Sequence, residues 1–358
     1  MRLDSLEVRN LRILTELNCT PCAGLNVFVG ANGSGKSSIL ESIHVLGSGR
    51  SFRTHRLGEL VQRGSTWLRV RGDVTGEDGA HFPVGVEKGA DGLHIRVAGE
   101  AVRSASALAR QLPLIVVTPE SQRLLTDGAE LRRQLMDWAL FHVEPGYLPV
   151  LQRFRRALRQ RNAALREGAG QDALAVWSRG LAEAGEALHA QRARFVKEIL
   201  PIYAETLREL LPMPVDIEYR AGWDTDAGLA ESLEAGTPTD RMRGFTGVGP
   251  QRADLRFRVD GAPAHHVFSR GEGKLFVVAL VLAQGRFLRD SAGSRALVLV
   301  DDLASELDEA SRERFFAQLE ALGAQSFVTT VSRDLVKAAD SRAASMFHVE
   351  RAKPLKMV

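Results

Sequence analysis

The stretch Gly30–Ala31–Asn32–Gly33–Ser34–Gly35–Lys36–Ser37 follows the pattern G-x-x-x-x-G-K-[ST] in full. Residues of these types at this spacing hold nucleotide phosphates. Gly33 and Gly35 let the backbone approach the phosphates while the N–H groups of the loop, which runs on to Ser38, point inward. A helix starting here adds positive potential. Lys36 can reach the β- and γ-phosphates of ATP, and Ser37 can ligate Mg²⁺. The context agrees, because the apolar "GLNVFVG" reads as a strand and "SGKSSILESIHVLG" as a helix with Ile39, Leu40, Ile43 and Leu46 close to helical spacing.

A second half of such a site stands far along the chain. "ALVLVDD" is an apolar strand ending in Asp301 and Asp302. Asp301 suits Mg²⁺ binding, and Asp302 is placed to orient or deprotonate an attacking water. A carboxylate pair capping the next helix is the ordinary alternative, which the phosphate loop outweighs. The two motifs are 271 residues apart (301 − 30). That is too far for a compact small-molecule kinase and implies a module inserted into one ATPase core. "FSRGEGK", Phe268 to Lys274, lies 32 residues before Asp301 (301 − 269). There Ser269, Arg270 and Gly271 look like the signature motif of ABC-type ATPases, a second anion-binding helix start. That motif contacts the γ-phosphate bound on a partner subunit. "ASELD", Ala304 to Asp308, resembles the D-loop of the same dimer interface.

The elements that must carry these motifs follow from the pattern. "RLDSLEVRNL" reads as a strand, with a turn at Pro21–Gly24 before "GLNVFVG". "WLRVRGDV", "HFPVGVEK" and "GLHIRVAG", separated by Gly and Asp turns, read as an antiparallel sheet. "LPLIVVTPE" reads as a buried central strand. From about Glu120 to Leu211 the period becomes helical. Trp177, Leu181, Ala184, Leu188, Phe195, Ile199 and Leu207 form an apolar face, kinked at Pro201 and closed by Pro212 and Pro214. A flexible Gly/Asp/Thr-rich stretch, residues 221–249, leads back to strands. The expected architecture is α/β: an ABC-type P-loop ATPase head, a mixed sheet with an antiparallel β subdomain, plus a helical inserted domain. The expected boundaries are 1–119 for the N-terminal part of the ATPase domain, 120–220 for the helical insertion and 221–358 for the C-terminal part.

Composition narrows the class. The 358 residues carry 47 Lys+Arg against 44 Asp+Glu, a net charge of only +3, so overall charge argues little for nucleic acid. No apolar run is long enough to span a membrane, and "MRLDSLEVRNLRIL" has no signal-peptide core, which makes a cytoplasmic location the expectation. Cys19 and Cys22 form a C-x-x-C pair. Zinc would need a second pair, which is absent, and a redox motif would lead into a helix rather than a strand.

Several segments resemble the RecF family of bacterial recombination-mediator ATPases, related to the heads of SMC and Rad50 proteins but without their long coiled coil. They are "LEVRNLR", "GANGSGKSSILESIHVLGSGRSFR", "TPESQRLLTDGAELRRQLMDWALFHVEPGYL", "RNAALR", "GVGPQRADL", "SRGEGK" and "VDDLASELD". The resemblance covers nearly the whole length. The resemblance implies an ATP-dependent homodimer that binds single- and double-stranded DNA near gaps or junctions. It also implies slow, DNA-stimulated ATP hydrolysis and partnership with RecO and RecR in loading RecA. By the same resemblance Arg12 matches an arginine that approaches the nucleotide phosphates, and Gln122, near "TPESQ", is the candidate Q-loop ligand of Mg²⁺. The chain departs from the pattern at Glu272, where Gln is usual, at Gln251, where His is expected, and at Asp302 in place of a Glu. No His directly follows "SFVTTVSRD", which reads as the last strand, so a switch role falls to Thr330 or a neighbour.

For DNA, Arg50, Arg53 and Arg56 in "GRSFRTHR" lie close to the phosphate loop and are the favoured backbone contacts. Arg153, Arg155, Arg156, Arg159, Arg161 and Arg166 crowd a helical stretch in which Arg155, Arg159 and Arg166 share a face. Such a run suits phosphate contacts, a partner surface or simply a solvated face. His265 and His266 read as loop residues. No base-reading helix or zinc finger is present, so recognition of shape and phosphate is expected. The readings set against this one are a transporter nucleotide-binding subunit and a non-hydrolysing, ATP-switched scaffold.

Overall fold

The structure is a computed structural model. It describes residues 1–335, 344–350 and 353–356, without the side chains of 304, 305 and 353–356. The chain forms two compact units, residues 1–121 with 270–358, and residues 122–269.

The first unit holds two sheets. One runs in the order Lys353–Lys356, Ala344–Glu350, Leu25–Val29, Ser326–Thr330, Leu297–Val300, Leu114–Val117. All its neighbours are parallel except Lys353–Lys356. Strands Leu25–Val29, Ser326–Thr330 and Leu297–Val300 are short and buried at every position, as a covered parallel sheet demands. The other sheet is antiparallel. Leu14–Cys19, Leu6–Leu11, Leu68–Thr75, His81–Gly89, Gly92–Val97 and Glu100–Val102 follow in order, with Arg2–Leu3 on Leu68–Thr75. The strand Leu14–Cys19 escapes the sequence reading. Its burial, with Leu14, Leu17 and Cys19 inward, does not alternate strictly.

Helix Lys36–Ser48 joins both sheets in one core. Ile39, Leu40, Ile43 and Leu46 are buried with Phe28 and Phe327 from one sheet and Val70 and Val86 from the other. Each such side chain removed from water contributes about 1.5–3 kcal/mol. Gly47 has no room for a side chain, since a Cβ would stand 2.6 Å from Leu114 Cδ1.

The second unit packs helix Tyr147–Arg166 against the 40-residue helix Gln171–Leu210. The long helix runs on through Pro201 as one element, where the sequence predicts a kink. It ends at Leu210, two residues before Pro212. Six of the seven expected apolar positions are buried. Trp177 is not: it is 38% exposed, and Leu174, packed with Ala164 and Leu165, takes the inward place.

The return to the ATPase core lies at 270 rather than the expected 221. Two contacts keep 221–269 with the helices. Strand Asp216–Arg220 pairs antiparallel with Asp254–Val259, and a helix, Leu229–Arg243, packs on Gln171–Leu210. That helix replaces the expected flexible stretch. Tertiary support lets it form despite Pro238 and Gly236, which local propensity alone disfavours. The run of arginines is also divided. Arg153, Arg155, Arg156, Arg159 and Arg166 are exposed, whereas Arg161 is fully buried and ion-paired to Asp240 at 2.7 Å.

Candidate nucleotide-binding site

The phosphate loop leaves strand Leu25–Val29 and enters helix Lys36–Ser48. Gly33 and Gly35 have φ of 79° and 111°, values glycine adopts without strain. Gly30 is required for a different reason. A Cβ there would stand 2.5 Å from the Val349 carbonyl oxygen and 2.8 Å from Ser34 Oγ. Ala31, Asn32 and Gly33 are exposed, while Gly35, Lys36 and Ser38 are buried.

Lys36 is 7% exposed, and its Nζ donates to the carbonyls of Gly30 (2.7 Å) and Ala31 (3.0 Å). Burial lowers its pKa from the ordinary lysine value, against the opposing pull of Asp302 and Asp301. The ammonium is thus held over its own loop, facing two carboxylates. Ser34 Oγ is buried and meets no hydrogen-bond partner among the described residues, so its O–H can donate to a phosphate oxygen.

Asp301 is brought to the loop by the parallel sheet, in which Leu297–Val300 is separated from Leu25–Val29 by Ser326–Thr330 alone. Its N–H donates to the Val117 carbonyl at 2.8 Å. Two hydroxyls converge on Asp301 Oδ1, Ser37 Oγ at 2.9 Å and Thr329 Oγ1 at 2.7 Å. Thr329 Oγ1 also accepts the Asp302 N–H at 2.9 Å, which fixes the turn that presents both carboxylates. Asp302 itself sits at φ 48°, a left-handed conformation that Asp tolerates better than most residues.

This donor set fits Mg²⁺. The ion takes hard oxygen ligands, holds few protein groups and leaves the rest to phosphate and water. Among the described residues no group of three or more His, Cys, Asp or Glu forms a metal cage. Ser37 and Asp301 are the oxygens that would hold it.

The sequence reading, Thr330 or a neighbour, covers Thr329 without fixing the register. Thr330 is buried and its Oγ1 donates to the Ser332 carbonyl at 3.2 Å, while its carbonyl accepts the Gly30 N–H at 3.2 Å. The available signal was the strand itself, "SFVTT", since either hydroxyl could face the loop. Register decides: Thr329 lies opposite Phe28 and Thr330 opposite Val29.

The remaining candidates are distributed. Arg12 has φ 54° and closes a two-pronged pair on buried Glu41, with Nε to Oε2 at 3.0 Å and Nη2 to Oε1 at 3.1 Å. That bond raises its pKa further and keeps the charge in place. Arg50, Arg53 and Arg56 are all exposed. Arg270 and Gly271 open helix Arg270–Ala292, the expected signature helix. Its Lys274 Nζ meets Glu306 Oε2 in the "ASELD" turn at 2.5 Å. Side chains of Ala304 and Ser305 lie outside the described residues. Gln122, which ends a short 3-10 turn, and Ser269 belong to the second unit. His265 and His266 lie in the short helix Ala264–Val267 rather than in a loop.

The family described as RecF/RecN/SMC N terminal domain matches residues 2–353. The chain is 42% identical over 353 residues to the DNA replication and repair protein RecF of Thioalkalivibrio sulfidiphilus, covering 98% of each chain. It is 41% identical to the protein of the same name from Pseudomonas aeruginosa, covering 99% of this chain and 97% of that one. Among solved structures it is similar to the recombination mediator protein RecF-ATP of the RecFOR pathway. There the TM-score is 0.88 and the identity 26%, over 99% of this chain and 97% of the other. A likeness to an Smc head bound to a ScpA domain, with TM-score 0.63 and 16% identity, extends the shared fold. A phosphate loop and a distant carboxylate pair, joined in one head and matched over almost the full length, place this chain in the RecF/RecN/SMC family, among the RecF proteins.

Proposed function

We propose that the chain is an ATP-switched DNA-binding protein of recombinational repair and replication restart. It hydrolyses ATP weakly, in a DNA-dependent way, and dimerises on ATP in the cytoplasm. The observation that carries the nucleotide half is the convergence of Ser37 and Thr329 on Asp301 beside buried Lys36. ATP supplies the phosphate anhydride and Mg²⁺ the positive charge that its transfer requires. Lys36 is placed to hold the phosphates, Ser37 and Asp301 to hold the cation, and Asp302 to orient water. Ser269, Arg270 and Gly271 would complete the site of a second copy across an ATP-bound dimer. Gln122 would add a cation ligand and Arg12 a phosphate contact.

Single- or double-stranded DNA would meet Arg50, Arg53 and Arg56, which are exposed on the segment that leaves the phosphate-loop helix. RecR and RecO are the partners the relatives' pathway supports, with RecA loading as the outcome. The names of these relatives favour this reading over a transporter subunit.

Reversing charge at Arg50, Arg53 and Arg56 tests the DNA half. Affinity for a gapped duplex should fall, and the slope of log affinity against log salt should flatten by roughly 0.9 for each phosphate the variant no longer neutralises. Wild-type affinity and slope in that variant would remove the patch from the proposal. ATP turnover measured with and without the same duplex separates a DNA-dependent ATPase from a scaffold.

A further inference from the structure

We propose that Glu41 is a positioning residue that couples nucleotide binding at the phosphate loop to DNA binding at the Arg50–Arg56 turn. The inference rests on the reading of that turn as a DNA contact.

Glu41 is fully buried on the phosphate-loop helix. A carboxylate there is costly unless its lone pairs are satisfied. They are satisfied by groups from two other segments. Arg12 takes both oxygens, Ser51 Oγ donates to Oε1 at 2.5 Å, and Arg53 Nη1 stands 3.8 Å from Oε2. Ser51 Oγ in turn accepts the N–H groups of Arg53 (2.9 Å) and Thr54 (3.1 Å). The basic turn is therefore folded around a hydroxyl that Glu41 holds.

Neighbouring contacts tighten the same clasp. His44 Nδ1 meets the Arg50 carbonyl at 2.8 Å, and Ser48 Oγ accepts the Arg50 N–H at 3.1 Å. Arg12 grips the far end of the segment, with its N–H on the Leu60 carbonyl (2.7 Å) and Nη1 on the Glu59 carbonyl (3.3 Å). Its positive φ is backbone strain that these contacts sustain.

The link to the nucleotide is the helix itself. Glu41 is four residues after Ser37, hence on the same face and about 6 Å further along the axis. Helix Lys36–Ser48 is continuous between them. A phosphate that repositions the first turn carries Glu41 with it, and Glu41 carries the arginines. Linkage makes the effect mutual, so DNA must favour the same helix position.

A structural role alone would weaken DNA binding equally with and without nucleotide. The measurement is therefore a ratio: affinity for a fluorescent gapped duplex, by anisotropy, with and without ATPγS at fixed salt. The wild-type ratio should be at least about fivefold, and Glu41→Gln should bring it below about twofold. ATPγS affinity without DNA is measured for each variant, and the ratio is taken at saturating ATPγS. A wild-type ratio near one, or a Glu41→Gln ratio equal to wild type, overturns the inference. Ser51→Ala removes one of the bonds to Glu41, with the two that Ser51 Oγ accepts inside the turn, and leaves Arg12 paired. It should lower the ratio partway, and an unchanged ratio there overturns the inference even if Glu41→Gln does not fold. The Arg50, Arg53 and Arg56 reversal is run alongside. Wild-type DNA binding in that variant defeats the reading of the turn. Abolished DNA binding there, with an unchanged ratio in Glu41→Gln, defeats only the role of Glu41.

Discussion

Lys274 Nζ stands 2.5 Å from Glu306 Oε2, tying the helix that opens at Arg270 to the turn after strand Leu297–Val300. The two side chains are 17% and 31% exposed, so water screens the pair only in part. Both motifs serve the same proposed dimer interface, and the pair fixes one against the other within a subunit. Lys274→Glu and Glu306→Lys should each lower ATP turnover about fivefold, and the double exchange should recover most of it. Each single loss is about 1 kcal/mol, so near-complete recovery corresponds to a coupling of about 2 kcal/mol, within the range of residues in direct contact. Additive losses in the double variant would show that the pair does not act in turnover.

Asp302→Asn should bind ATP but hydrolyse it at least about a hundredfold more slowly, because the amide cannot take a proton from water. The fold should be unaffected, since Asn also tolerates the left-handed φ of 48°. Single-turnover hydrolysis, with dimerisation followed by ultracentrifugation, checks this. Unchanged turnover would assign the water to another residue.

Arg161→Met should cost about 3–5 kcal/mol of stability. It strands the buried Asp240 carboxylate, which otherwise meets Arg161 Nη1 at 2.7 Å. Asp240 Oδ1 would keep only its bond from the Gly247 N–H. The exposed Arg159→Met is the control and should stay within about 0.5 kcal/mol. Urea unfolding of the two variants compares them directly.

His44 gives a pH dependence with a definite sign. Burial lowers its pKa from the ordinary value of 6.5, opposed by its bond to the Arg50 carbonyl and by Glu41. Ser48 and the edge of Phe52 complete its surroundings. The folded chain therefore favours neutral imidazole, and the unfolded chain takes up the proton first. The stability this gives is intact above about pH 6.5 and is lost as the pH falls from there through the folded pKa. His44→Gln should be less sensitive than wild type between pH 7.5 and 5.5. Parallel pH curves would exclude His44 as the titrating group.

Some features were legible because they are local. Gly33, Gly35 and Lys36 follow one strand and open one helix, so the loop's backbone is dictated within a few residues. Ile39, Leu40, Ile43 and Leu46 could be assigned to the core because helical periodicity alone faces them inward. The arginine run shows where this stops. Arg159 and Arg161 look alike in sequence, yet one is exposed and one fully buried. The difference is Asp240 and Thr246, roughly eighty residues away, whose arrival at the helix no local pattern encodes.

The sequence by itself determined the phosphate loop, the apolar strand ending in two carboxylates, and a helical segment lodged between the two halves of the ATPase head. Each depends on residue type and short-range period. Tertiary structure alone decided that Ser37 and Thr329 share Asp301 Oδ1, across 264 and 28 residues of chain. It decided that residues 221–269 belong with the helices, and that Glu41 holds Arg12 and the basic turn together. The physical reason is common to all three. A hydrogen bond or strand pair between distant segments depends on which surfaces pack and in what register, and that is settled by the whole core at once rather than by any one stretch.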